Sequence, residues 1–153
     1  MIEINEQFDV PAAAPRTVWD LLSDPQAVVG CVPGATLGEE HEDGSFDGSL
    51  MVKFGPARVT FKARIELQID DAAMTGSVTA RGKDNQGGTR FSAKMGFSVV
   101  EQPEQQGTMV LIKGENEISG KLAGLVEAGA KIVIKRMSAE FAENLAARVS
   151  GTK

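Results

Sequence analysis

His41 and Cys31 are the only histidine and the only cysteine in the chain, so a nucleophile, a metal site or a base active near neutral pH would have to be built on one of them. His41 stands in the run GEEHEDG, which reads as a solvated turn with no nucleophile beside it to activate. Cys31 has no second cysteine for a disulfide or a metal and no histidine near it in sequence, so it reads as a small buried thiol. No group of residues has the spacing of a metal site. The chain contains no tyrosine, which removes one common acid and oxyanion donor. The runs GGTRF and GSFDG lack the spacing of a phosphate loop that opens a helix. The expectation is therefore no catalytic residue, no metal and no cofactor.

The remaining polar candidates are binding groups. Asn116 falls on an inner sheet face by parity, where it would either hydrogen-bond a ligand carbonyl or sit at a strand end near solvent. Trp19, the one tryptophan, is a core anchor of the first helix or part of a cavity rim, with core favoured because Trp buries a large apolar area. Pro33 belongs to the same rim or core region. Lys131, Lys135 and Arg136, with Arg58, Lys62 and Arg64 on an outer face, suit either an anionic lipid surface or simple solvation.

The elements that must position these groups follow from periodicity. Ile2, Ile4, Phe8 and Val10 alternate with polar residues, broken at Glu6, as a first strand ended by Pro11. Pro15 starts a short helix carrying Val18, Trp19, Leu21 and Leu22, and Asp24-Pro25 stops it. QAVVGC forms a second short turn before the tight turn at Pro33-Gly34. From Thr36 to Ile118 alternation and turn residues predict an antiparallel meander. Its turns fall at Asp43-Gly44, Gly55-Pro56, Asp70-Asp71, Asn85 to Gly88 and PEQQG. Its cleanest strand sets Val59, Phe61, Ala63, Ile65, Leu67 and Ile69 against Arg58, Thr60, Lys62, Arg64, Glu66 and Gln68.

Gly120 to Val149 has a helical period instead. Leu122, Leu125, Val126, Gly129, Ile132, Val133, Met137, Phe141 and Leu145 share one side. Such a stripe must be buried against something. The expected fold is α+β, a helix grip: a curved antiparallel sheet of about seven strands, two short helices after strand 1, and a long C-terminal helix across the concave face.

Composition narrows the function. At 153 residues the chain suits a single domain over residues 1–153, large enough to bury about 68–70% of its unfolded surface. Lys and Arg number 16 against 21 Asp and Glu, a formal charge of -5, which argues against a nucleic-acid partner. No stretch reaches the ~20 apolar residues that span a bilayer. The residues after Met1 lack the charged and apolar regions of a secretory signal, so the expected location is cytoplasmic.

Whether the grip is solid or hollow decides what it can do. Gly48, Ala63, Gly76, Ala80, Ala93 and Gly114 interleave with Phe54, Phe61, Phe91, Met95 and Phe97 on the face toward the helix, and Gly129 lies in mid-stripe. Small residues on a concave wall leave volume for an apolar guest. In sheets they also serve bending and close helix approach. Under the hollow reading the cavity is lined by Phe54, Phe61, Ala63, Gly76, Phe91, Ala93, Met95, Phe97, Ile112, Gly114, Leu125, Gly129 and Ile132.

The run from Phe8 to Ala35, with Val10-Pro11, Val18-Trp19, Asp24-Pro25 and Cys31-Val32-Pro33-Gly34-Ala35, resembles the N-terminal signature of the carbon monoxide dehydrogenase G-subunit family, within the START-like, helix-grip superfamily of polyketide cyclases and lipid-transfer proteins. Val52-Lys53-Phe54-Gly55-Pro56 followed by Phe61, and Ser119-Gly120-Lys121-Leu122-Ala123 through Phe141, extend the resemblance over nearly the whole chain. It implies a non-enzymatic accessory protein of a molybdenum hydroxylase, holding a lipid, fatty acid or quinone and touching the inner face of the membrane peripherally. The sequence departs from the family pattern at Leu125-Val126 and Phe141-Ala142, which alters the cavity wall. It ends at Lys153, where members often continue into a membrane-associating tail, and this argues against permanent attachment. Two other classes stay open: a small cyclase or hydrolase, which needs polar groups converging in the cavity, and a ligand-free assembly factor, which needs a filled core.

Overall fold

The computed structural model describes residues 2–11, 13–85, 88–102 and 107–151. The turn expected at PEQQG, and the Gln86-Gly87 part of the turn before it, lie outside these. Strand β1 (Ile2–Pro11) leads to helices α1 (Pro15–Leu22) and α2 (Pro25–Cys31). The segment QAVVGC, the second of the two short helices expected after strand 1, forms most of α2: Pro25 occupies its first turn and the Asp24 carboxylate caps it by accepting from Gln26 N–H at 3.1 Å. Strands β2 (Ala35–Glu40), β3 (Phe46–Phe54), β4 (Ala57–Asp70), β5 (Thr75–Asp84), β6 (Thr89–Gln102) and β7 (Gly107–Gly120) follow, then helix α3 (Ala123–Gly151).

The strands form one antiparallel sheet in the order β1-β7-β6-β5-β4-β3-β2, so the meander is unbroken and the first strand docks on the last. β4, β6 and β7 have 14 residues each, long enough for the twist of the sheet to wrap it round a helix. Gly34, at φ 81°, makes the turn into β2 and its carbonyl accepts from Met51 N–H at 3.0 Å; a side chain there would be strained.

Two apolar clusters divide the space between sheet and helices. The first joins Val10, Val18, Trp19, Leu22, Cys31, Val99, Val110 and Leu145, with Phe8, Phe97, Ile112 and Phe141 packed on it. Phe8 meets Phe141 edge to face at 5.8 Å and Trp19 stacks on Phe97 at 5.8 Å, spacings that favour aromatic pairs. The second joins Val52, Phe54, Val59, Phe61, Val126 and Val133, with Leu50, Phe91, Ile118 and Met137 around it. The C-terminal half of α3 lies on the first cluster and its N-terminal half on the second.

Trp19 is wholly buried, and its Nε1–H donates to the Asp71 carboxylate at 2.7 Å. Arg16 donates to the other oxygen of that carboxylate at 2.7 Å, so the β4–β5 turn is tied to α1. These bonds, Trp19 first, hold the Asp71 carboxyl below the ordinary value of 3.8. A depressed carboxyl stabilises the fold above its unfolded value and loses that contribution as pH falls through the folded value. Since Trp19 is the sole tryptophan, its emission should change in acid with a midpoint below 3.8. The same titration of Asp71→Asn should be flat; an unchanged transition in that variant would place the titrating group elsewhere.

Candidate functional site

The second cluster is hollow. A partly open cavity of about 340 Å³ lies between the N-terminal half of α3 and the sheet, within the ~300–1,000 Å³ typical of small-molecule sites. Val126, Ala130, Val133, Ile134 and Met137 form its helix wall, at the three-and-four spacing that shares one helix face. Phe54, Phe61, Ala63, Ile65, Ala80, Phe91 and Ile118 form the sheet wall, and Val29, Val32 and Ala35 close it from the α2 side. Ile2 and Ile4 from the first strand complete it. Phe61 and Phe91 meet edge to face at 5.3 Å.

The helix is held at both ends. At its start Leu122 N–H donates to the buried Thr89 hydroxyl at 2.8 Å, and Lys121 N–H to Gly88 C=O at 2.9 Å. Asp84, 5% exposed, accepts from Thr89 N–H at 3.2 Å and fixes that residue in turn. Toward its end Asn144 Nδ2–H donates to Cys31 C=O at 3.0 Å, and Leu145, 1% exposed, enters the first cluster. Between these anchors Lys135 reaches Glu6 at 3.4 Å, which gives the one acidic residue on the inner face of β1 a cation.

Of the residues expected to line the cavity, Phe54, Phe61, Ala63 and Phe91 do so. Phe97 and Ile112 pack on the first cluster instead. Gly76 and Gly114 leave no vacancy, because the Phe97 ring lies over Gly76 and the Met95 side chain over Gly114; the large neighbour fills the space the glycine opens. Ala93 and Met95 belong to the same strands but not to the wall. On α3 the expectation is displaced by one residue, from Leu125, Gly129 and Ile132 to Val126, Ala130 and Val133. Leu125 and Ile132 are 40% and 74% exposed, and Gly129 faces the Phe54 ring. One residue is ~100° of helix rotation, and apolar side chains surround enough of α3 for the sequence to leave that phase undetermined. Trp19 is core, and Pro33 lies beside the wall residues Val32 and Ala35 without joining them. Ile65, Ala80, Ile118 and Ile4 were not among the expected residues, although their strand parity marked the face.

Among the described residues the wall has no titratable side chain; its polar members are Thr36, Ser49 and Asn116. Thr36 and Ser49 hydrogen-bond each other across β2 and β3, next to the register shift between Leu37 and Glu40. They also border a second, polar recess with Asp47 and Lys62. His41 lies away from the cavity, with Nε2 2.8 Å from Asp47 Oδ1. Arg64 donates to the Ser45 hydroxyl at 2.7 Å. Cys31 is buried, and burial pushes its thiol up although Arg148 opposes the shift, so little thiolate forms at neutral pH. Among the described residues no cluster of metal-ligating side chains occurs, and no helix is long and apolar enough to cross a membrane.

The profile of the carbon monoxide dehydrogenase G-subunit family (CoxG) matches residues 7–150. Among curated proteins none matches this chain. Among solved structures, a conserved protein from Geobacillus kaustophilus is similar at TM-score 0.83 and 17% identity, covering 99% of this chain and 97% of the other. The Zhui aromatase/cyclase from a Streptomyces species matches at TM-score 0.64 and 16% identity, over 97% and 93% of the two chains. A START superfamily protein from Mycobacterium smegmatis matches at TM-score 0.60 and 16% identity, over 99% of both. These likenesses establish the fold as a START-like helix grip.

The phase of α3 has a direct test by chemical denaturation. Val133→Ala removes two buried methyl groups and should cost about 1.5 kcal/mol. Ile132→Ala should stay within about 0.5 kcal/mol of the parent, as surface changes do. Equal losses, or the reverse order, would turn the helix back toward the sequence expectation.

Proposed function

This chain belongs to the carbon monoxide dehydrogenase G-subunit family, and from that premise we propose that it is a non-enzymatic accessory protein, a single domain over residues 1–153, that carries one apolar molecule between α3 and the sheet. The observation that carries the reading is the hollow second cluster, with an apolar cavity of about 340 Å³ among its residues. Burying an apolar guest there gains roughly 25 cal/mol for each Å² removed from water. Met137 can adapt its shape to the guest. A quinone ring or a fatty acyl chain fits this chemistry, and the enzyme served would be a molybdenum hydroxylase, as the family resemblance implies.

Support for a carrier over an enzyme comes from the wall. The aromatase/cyclase among the structural neighbours shares the fold, but here no acid or base lines the described cavity that could move a proton. Support for transient membrane contact, from the cytoplasmic side, comes from α3, where Leu125 and Ile132 stand exposed on a helix that also bears exposed Lys131 and Lys135. Apolar side chains with flanking lysines suit an anionic lipid surface.

Native mass spectrometry after mild extraction should detect a bound apolar molecule, and added quinones or fatty acids should bind. Ala80→Phe places a ring in the cavity and should weaken that binding at least about tenfold, equivalent to about 1.4 kcal/mol, with the circular dichroism spectrum retained. A chain that co-purifies with nothing and has no affinity for either class would overturn the carrier reading.

A further inference from the structure

Asn116 is the polar residue whose place in the cavity the fold does not explain. Its Oδ1 is enclosed and finds no hydrogen-bond partner among the described residues, a state that native proteins avoid because an unpaired buried acceptor is costly. Asn116 sits within β7, where its cross-strand neighbours are Ile2 on β1 and Ala93 on β6; Ala93 faces Ala80 on β5, and Ala80 faces Ile65 on β4. From β1 to β4 the other four residues of that row are apolar, and the sheet itself asks for nothing but an apolar side chain there. The two neighbours on the β6 side are alanines, too short to cover the amide.

A primary amide has an acceptor end and a donor end. A carbonyl, ester or ether on a guest can engage the donor end and leaves Oδ1 unpaired. A hydroxyl or a protonated carboxyl supplies the missing O–H, and the carboxyl pairs with both ends at once. Burial in an apolar cavity keeps such a carboxyl neutral, since it disfavours the charged form, and no cation among the lining residues opposes this. We infer that Asn116 is the polar anchor of the cavity, selecting an apolar molecule that ends in a neutral O–H donor, either a phenol-like hydroxyl or a protonated carboxyl. This rests on the cavity reading above and narrows its ligand class.

Three probes of one shape test it: naphthalene, 2-methoxynaphthalene with an acceptor only, and 2-naphthol with a donor. Without an anchor 2-naphthol binds more weakly than 2-methoxynaphthalene, because its hydroxyl is desolvated with no partner. With the anchor the order reverses in the parent chain by about tenfold, and Asn116→Leu and Asn116→Ala restore the unanchored order while still binding naphthalene. A parent chain that binds none of the three overturns the cavity reading itself. One that binds naphthalene but does not prefer 2-naphthol over 2-methoxynaphthalene overturns the anchor alone, as does a preference that survives in both variants. A further arm, 2-naphthoic acid, separates the two donor classes: carboxyl binding falls as pH rises above the acid's own pKa, whereas phenol binding holds through neutrality.

Discussion

The clamping of α3 at two places decides most of what this structure can do. Lys121 and Leu122, which lead into the helix, hang from Gly88 and Thr89, and its last turns are sunk among Phe8, Cys31 and Trp19 through Phe141, Asn144 and Leu145. A helix is stiff between its anchors, so it spans the concave sheet without following its curvature. Where the side chains between helix and sheet are large, the space fills. Where they are Ala63, Ala80 and Ala130, it stays open. The cavity results from a rigid beam over a curved floor, not from any residue that props it apart.

The unequal ends also distribute stability. The cluster around Trp19 holds the most deeply buried side chains and two aromatic pairs, while the wall of the cavity lacks contacts on its inner side and forfeits the dispersion energy a filled core would have. The protein can tolerate a hollow half because the other half buries its largest side chains and because all seven strands join in one antiparallel sheet. Membership of the carbon monoxide dehydrogenase G-subunit family and the START-like fold are consistent with this division: one end holds the molecule together, and the other is left available to a guest.

The wall itself is chemically mute except at Asn116 and the Thr36–Ser49 pair. That sets the kind of recognition available to it. Shape and apolar area supply affinity, and one or two hydrogen bonds decide orientation, which is how a largely apolar site acquires selectivity. The exposed residues Leu125 and Ile132 sit on the side of α3 opposite this wall, so a surface that met another body there would touch the same beam that roofs the cavity.

By itself the sequence determined the order and type of the elements, because period-2 alternation and period-3.6 stripes are local properties of a chain. The strand with Val59, Phe61 and Ala63 and the helix ending near Val149 were legible for that reason. So were the family signature around Cys31 to Ala35 and the inward parity of Asn116. Only the tertiary structure decided which small residues leave room. Gly76 and Gly114 resemble Ala63 and Ala80 in sequence, yet Phe97 and Met95 from the neighbouring strand cover the first two while the second two line the cavity. Tertiary structure also chose the phase of α3: a stripe that is apolar round most of its circumference can bury Val126, Ala130 and Val133 or the residues before them. Both outcomes depend on what stands opposite across the sheet, and such a pairing of distant residues is fixed by packing rather than by any local pattern.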